Sequence, residues 1–424
     1  MFEVKEKPKL VERALLVGVQ HQRQDAEHTE RMLDELVELV NTLGIGIVGK
    51  KTVKIREPNA KFLIGKGKVE ELLEIAKSLE CDVIIFDEEL TPAQQRNWEG
   101  ESKILVIDRQ EVILDIFAER AQTKEATLQV QLARMEYNLP RLKRAWTHLS
   151  RQRGGAATQR GEGEAQIELD QRMVRNKISA LKKQLKEVVS SRELQRKKRS
   201  KIPIPTAAIV GYTNAGKSSM LNFFTPAKVL EEDKLFATLD PTSRRIQLPT
   251  GRTLILTDTV GFIRKLPHGL VDAFKSTLEE AIIAHFMIHV VDMNNPEYEQ
   301  HIETTHQVLG ELGVNETPII LAFNKLDICE DLENLERLKN RYPEAIFFSA
   351  RTGENIDSLL EKMDEFLKTE TSPLNLMIPH NRYDMIAKLH QEGCIQTQKA
   401  EEEGTHIFGH FPKRLLPLVE SFKI

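Results

Sequence analysis

Cysteine is scarce in this 424-residue chain: Cys81, Cys329 and Cys394 are scattered and show no CxxC spacing. An odd, unclustered set argues against a disulfide framework and for a reducing compartment. The three read as small core residues. Long apolar runs are missing too. No stretch of about 18 apolar residues occurs, so no segment is expected to span a membrane. The opening MFEVKEKPKLVER lacks the apolar run of a signal peptide. The expected location is therefore the cytoplasm. Net charge is small, at −4. What the chain does have is length and core material. Apolar residues make up 40%, and at roughly 150 residues per domain two or three domains are expected.

The charge is unevenly spread. Residues 141–201 hold 18 Lys/Arg against 6 Asp/Glu, a local +12 that leaves about −16 for the remainder. A basic segment in an acidic chain points to a polyanionic partner.

The first hundred residues alternate between strand-like and helix-like runs. Ala14–Val19, Gly46–Ile55, Cys81–Phe86 and Lys103–Ile107 read as strands; Thr29–Leu43, Lys66–Leu79 and a stretch opening at Thr91-Pro92 read as helices. This predicts a small α/β subdomain over residues 1–108. Residues 109–202 carry no strand signal. Leu114–Tyr137 reads as one long helix and Ala165–Arg199 as another, in which Val174, Ile178, Leu181, Leu185 and Val188 follow a heptad seam. Between them lies RQRGGAATQRGEGEAQ. The expectation is an antiparallel helical hairpin with a basic, glycine-rich tip. Such a pair could be a solvated spacer, but Arg151, Arg153 and Arg160 among glycines suit contact with an RNA backbone. Residues 203–370 then alternate strictly, with strands at Ala207–Val210, Thr253–Leu256, Met287–Val291, Ile319–Ala322 and Ile346–Phe348. That is the pattern of a doubly wound sheet. Thr371-Ser372-Pro373 reads as a linker to a small mixed α/β tail, residues 371–424.

The central motif is Gly211-Tyr212-Thr213-Asn214-Ala215-Gly216-Lys217-Ser218, of the form GxxxxGK(S/T), after one strand and before an apolar helix. In that context glycines let backbone amides turn inward around phosphate oxygens. Lys217 is expected to reach the β- and γ-phosphates, and the Ser218 hydroxyl to ligate Mg²⁺.

Three downstream motifs narrow the nucleotide. Asp258-Thr259-Val260-Gly261 ends a strand: its Asp can hold Mg²⁺ directly or through water, and Gly261 can offer its amide to the γ-phosphate. Asn324-Lys325-Leu326-Asp327 ends another. Asp327 can accept both the N1 and N2 protons of guanine, a donor pair adenine lacks. Asn324 would support the loop, and the Lys325 stem would pack on the base. Ser349-Ala350-Arg351 can close over the base edge. Their order, each at a strand's carboxyl end, points to GTP. Upstream, Leu235-Phe236-Ala237-Thr238-Leu239-Asp240-Pro241-Thr242 offers two threonines that could ligate Mg²⁺ only beside a γ-phosphate. Chemistry alone does not choose between Thr238 and Thr242. Phe262 stands where many GTPases have a water-orienting glutamine. Unaided hydrolysis is therefore expected to be slow.

VGYTNAGKSS, LFATLDPTSRRI, DTVGFIRKLPHGLVDAFKSTLEE and FNKLD resemble the Obg–HflX superfamily of GTPases. VIDRQEVILDIFAERAQTKEATLQVQLARMEYNLPRL, with the glycine-rich loop after it, looks like the HflX family itself. The likeness runs from about Leu15 to at least Lys368. It implies a GTPase that acts on the large ribosomal subunit and splits or rescues ribosomes, especially after heat stress. It also implies a hairpin tip reaching ribosomal RNA, and Thr238 as the Mg²⁺-binding threonine. Phe236, Ala237, Leu239 and Asp240 fall in the same switch motif. Family members have been linked to ATP at the N-terminal region, where Gly65-Lys66-Gly67 is the one hint. The family's loop usually reads near GGIGLRGPGETQLETDRR; here GGAATQRGEGEAQIELDQR keeps its order of glycines and charges in part.

The leading expectation is thus Mg²⁺-dependent GTP hydrolysis, with Lys217, Thr238 and Gly261 at the reacting phosphate, coupled to the ribosome. An alternative is an assembly checkpoint or RNA-binding module in which GTP only sets the conformation. A signalling switch on a protein effector fits the basic arm less well. Neither DNA nor an integral membrane partner is expected, and the default state is a monomer.

Overall fold

The apolar runs of the first hundred residues form four parallel strands. β1 (Arg13–His21), β2 (Gly46–Ile55), β3 (Val83–Phe86) and β4 (Leu105–Asp108) lie in the order β2-β1-β3-β4. β3 is buried throughout, as a parallel strand covered on both faces should be. α1 (Ala26–Thr42) buries Met32, Leu33, Leu36, Leu39 and Val40, the spacing of one helical face. α2 (Lys66–Ser78) begins as an ordinary helix. Gly65 has φ −70°, a Cβ on Gly65 or Gly67 would meet nothing within 4 Å, and Lys66 pairs with Glu70 at 3.8 Å. α3 (Pro92–Ser102) starts with Pro92 and a Thr91/Gln94 capping box. The computed structural model describes residues 12–22, 24–142, 160–199, 204–224, 235–236, 238–239, 241–265, 284–314, 317–391, 395–401, 403–412 and 415–424.

The single helix expected over Leu114–Tyr137 is two, α4 (Arg109–Arg120) and α5 (Lys124–Asn138). Ala121 turns to ψ 110°, and Thr123 restarts the helix by accepting the Ala126 N–H at 3.1 Å. The break lets the two helices pack on each other. α6 (Arg160–Arg199) covers the second expected helix. Ile178 and Leu181 of the heptad seam are buried, and Lys182 reaches Glu136 of α5 at 2.8 Å. Arg151 and Arg153 lie outside the described residues, and Arg160 is the first residue of α6.

The chain divides into two units. The first runs to Leu185 and also takes in Leu235, Phe236 and Lys265 from much later in the sequence. Within it, the Phe236 ring lies 4.5 Å from that of Phe117, and Lys265 pairs with Glu88 at 2.9 Å and Asp87 at 3.6 Å. Arg109, almost fully buried, holds Asp87 at 2.8 Å and Glu35 at 2.6 Å.

The second unit contains a six-stranded sheet: β5 (Thr206–Val210), β6 (Thr242–Gln247), β7 (Thr253–Asp258), β8 (Phe286–Asp292), β9 (Ile319–Asn324) and β10 (Ile346–Phe347), in the order β10-β9-β8-β5-β7-β6. α7 (Lys217–Phe223), α8 (Tyr298–Glu311), α9 (Leu332–Arg341) and α10 (Ile356–Glu370) lie between strands or follow the last. The five expected strands are present and parallel. β6 was not expected: it pairs antiparallel with β7 at the sheet edge. Only Ile246 is buried along it, too little apolar content to register as a period. Thr371-Ser372-Pro373, expected as a linker, is the start of β11 (Thr371–Ile378). It pairs with β13 (Gly404–Pro412), which pairs with β12 (Ile395–Glu401), and α11 (Tyr383–Gln391) packs Ile386 and Leu389 into their shared core. Pro373 is tolerated because β11 is an edge strand. Among the described residues no helix is long and apolar enough to cross a membrane.

His289 sits on central β8, fully buried, with neither ring nitrogen hydrogen-bonded among the described residues. Burial, with His306 and Lys217 nearby, pushes its pKa from 6.5 down to about 3. Below pH 6.5 the unfolded chain takes up a proton there that the folded chain refuses, so stability falls as pH drops toward 3. Between pH 7.5 and 5 this one group accounts for a loss of about 2 kcal/mol. His289→Leu is expected to remove that part of the acid slope. Urea midpoints at the two pH values are the check, and an unchanged slope would assign it to other groups.

Candidate nucleotide site

Strand β5 runs straight into the phosphate-loop motif, and two glycines there are obligatory. Gly211 (φ 145°) has no room for a Cβ because the Val290 carbonyl occupies it; at Gly216 (φ 90°) Asn324 Nδ2 does the same. Asn214 takes a left-handed φ of 60° between them. Ala215 is held from outside the loop: Asn324 donates Nδ2 to its carbonyl at 2.9 Å and accepts the Ala350 N–H at 2.9 Å. One buried asparagine thus ties together the first motif, its own and the last.

The hydroxyls of Ser218 and Thr238 and the carboxylate of Asp258 converge. Ser218 Oγ and Thr238 Oγ1 are 2.8 Å apart, and both donate to Asp258 Oδ2, at 2.8 and 2.9 Å. Asp258 is fully buried, and its Oδ1 has no hydrogen-bond partner among the described residues. Burial raises its pKa against the pull of Lys217 and its hydrogen bonds. Two hydroxyls and one carboxylate, whose Oδ1 is the orphan oxygen, are the hard donor set Mg²⁺ takes, with water and phosphate completing its shell. The residues fit that ion. Thr242, the other candidate, pairs with Asp258 through the β6–β7 ladder instead.

Lys217 is almost fully buried and donates Nζ to the Tyr212 carbonyl at 2.6 Å. Burial lowers its pKa to about 8, and Asp258 opposes the shift. A Cβ on Gly261 would lie 2.9 Å from Lys217 Nζ, so the two motifs meet at one point. Thr259, fully buried, donates to the Ile209 carbonyl at 2.7 Å, and Val260 is buried beside it. Phe236 and Leu239 are buried; Ala237 and Asp240 lie outside the described residues.

At the base end, Ser349 is fully buried and donates Oγ to Asp327 Oδ1 at 2.7 Å, while accepting the Arg351 and Thr352 N–H groups. Lys325, in a left-handed conformation, pairs with Asp292 at 2.7 Å, and Leu326 N–H reaches the Phe348 carbonyl. Ala350 is buried and Arg351 exposed.

Sequence reasoning missed a clasp on the phosphate loop. Phe262 is buried, and its backbone staples the loop: its N–H reaches the Gly211 carbonyl at 3.1 Å and its carbonyl accepts the Thr213 N–H at 2.8 Å. Tyr212 Oη accepts the Arg264 N–H at 3.0 Å, and the Tyr212 ring stacks on His301 of α8 with centroids 3.6 Å apart. Arg264 pairs with Glu297, also near the start of α8, at 3.2 Å. No periodicity signals such contacts. An aromatic residue inside a phosphate loop was the available hint.

Residues 206–325 match a family model described as "50S ribosome-binding GTPase". Residues 30–118 and 120–199 match "GTP-binding GTPase N-terminal" and "GTP-binding GTPase Middle Region". Curated relatives named "GTPase HflX" span nearly the whole chain. That of Akkermansia muciniphila is 48% identical over 100% of this chain and 99% of the relative. That of Chlamydia pneumoniae is 43% identical over 98% and 89%, and that of Escherichia coli (strain K12) 40% over 93% and 92%. With the phosphate-loop, Mg²⁺-type and base-end motifs brought together in one sheet, these likenesses identify the chain as a GTPase of the HflX family.

Proposed function

We propose that this GTPase works on the large ribosomal subunit in the cytoplasm and uses GTP to split or rescue stalled ribosomes, including after heat stress. The match of residues 206–325 to a family described as a 50S ribosome-binding GTPase carries this reading. The +12 charge of residues 141–201 supports it, because ribosomal RNA is the polyanion such a segment would meet. Arg151, Arg153 and Arg160 are the proposed RNA contacts.

In the hydrolysis, amides of the Gly211–Ser218 loop other than the Thr213 N–H, which the Phe262 carbonyl holds, cradle the phosphates, and Lys217 leaves the Tyr212 carbonyl to meet the β- and γ-phosphate oxygens. Ser218 and Thr238, with Asp258, would hold Mg²⁺, which would supply charge neutralisation at the phosphates. Gly261 offers its N–H to the γ-phosphate. Water attacks the γ-phosphorus, the bond to the β–γ bridging oxygen breaks, and GDP and phosphate leave. Asp327 reads guanine, with Asn324, Lys325, Leu326 and Ser349–Arg351 shaping the pocket. Phe262 staples the loop and cannot orient water, so turnover alone is slow.

GTP turnover by the full chain, alone and with ribosomes, large subunits or small subunits, tests the partner. Many-fold stimulation by large subunits and whole ribosomes, and none by small subunits, is expected. A sucrose gradient then distinguishes splitting from assembly. No response to any particle would refute a ribosomal role.

A further inference from the structure

Among the described residues, one buried side-chain hydroxyl of the phosphate loop finds no partner. Thr213 is 7% exposed, its N–H is engaged by the Phe262 carbonyl, and its Oγ1 has no hydrogen-bond partner among the described residues. A buried hydroxyl in that state is destabilising unless something supplies a partner. Its surroundings indicate what. A Cβ on Gly261 would lie 2.9 Å from Thr213 Cα, Thr213 Cγ2 and Lys217 Nζ alike. Thr213, the Gly261 backbone and the Lys217 ammonium therefore border one small space. Thr213 is β-branched, so a methyl seated against Gly261 also fixes the direction of the hydroxyl. The side chain at Phe262 has no polar atom to serve the same space.

We propose that Thr213 Oγ1 donates a hydrogen bond to the terminal phosphoryl group of bound GTP and thereby aids its transfer to water. The inference rests on the nucleotide-site reading above. Thr213 exchanges no atom with the substrate. It keeps its proton and holds an oxygen of the group being transferred, a charge-assisted bond that GDP cannot make.

Thr213→Val keeps the shape and both branches but removes the hydroxyl; Thr213→Ser keeps the hydroxyl. The full chain and both variants would be compared for GDP affinity, for affinity to a non-hydrolysable GTP analogue, and for single-turnover hydrolysis. For Thr213→Val we expect GDP affinity within about twofold of the parent, with analogue affinity and hydrolysis down roughly tenfold or more, the weight of one hydrogen bond to a charged group. Thr213→Ser is expected to recover both. The proposal is overturned if Thr213→Val keeps the parent's preference for the analogue and its rate. It is equally overturned if GDP and analogue weaken together, since the hydroxyl would then only shape the loop. Failure of the parent chain to bind GDP would instead sink the site reading itself.

Discussion

Asp327→Asn should turn this protein from a guanine-nucleotide binder into a xanthine-nucleotide binder. A carboxylate offers only acceptors, which suit the N1 and N2 protons of guanine. Ser349 fixes its angle: that buried hydroxyl donates to Asp327 Oδ1 at 2.7 Å and is itself held by two backbone N–H groups. Asparagine keeps the shape but replaces one acceptor with a donor. Two charge-assisted bonds are then lost or reversed, and at about 1.5–3 kcal/mol each GDP affinity should fall a hundredfold or more. Xanthine has a carbonyl where guanine has its amino group, and that carbonyl can accept the new donor. Titration with GDP and XDP decides. Unchanged GDP affinity in the variant would remove Asp327 from the base site.

The second large effect is at Lys217. Lys217→Met, close in volume, should cut hydrolysis at least a hundredfold, about what removing one preorganised charge costs at a reacting centre. Burial holds the ammonium near a pKa of about 8 in the free protein, against 10.5 for an ordinary lysine. Between those values the unfolded chain binds the proton and the folded chain sheds it, so this group makes the free protein more stable as pH rises through the window. Phosphate oxygens reverse the balance by favouring the charged form. GTP binding at pH about 8.5 should therefore take up a proton. Calorimetry in two buffers of different ionisation enthalpy would show it in the parent and not in Lys217→Met. Uptake that survives in the variant would point to another group, Asp258 first.

Much of this was legible in the chain because it is local. Gly46–Ile55 alternates and is a strand over that same range. The four nucleotide motifs sit at strand ends because strand, turn and helix signals lie within a few residues of one another. What escaped was set by distant partners. The helix break at Ala121 has its own local mark, Thr123, yet apolar periodicity runs across it and hides it. Strand β6 exists because β7 is there to pair with it. The Tyr212–His301 stack joins residues 89 positions apart, and neither side chain announces the other. Asn324 was expected to support its loop, but its reach to both Ala215 and Ala350 depends on the register of β5, β8 and β9.

The first unit also bears on how the chain is made. Its Phe117 is covered by Phe236, and its Asp87 and Glu88 face Lys265, residues synthesised long after Leu185. A nascent chain that has emerged only as far as Pro203 therefore holds every strand of the N-terminal sheet and the Arg109–Asp87 pair, while Phe117 still lacks its covering ring and Asp87 and Glu88 lack Lys265. The amino-terminal half can begin to fold early in translation, but its final contacts must wait for the nucleotide-binding half to be well under way.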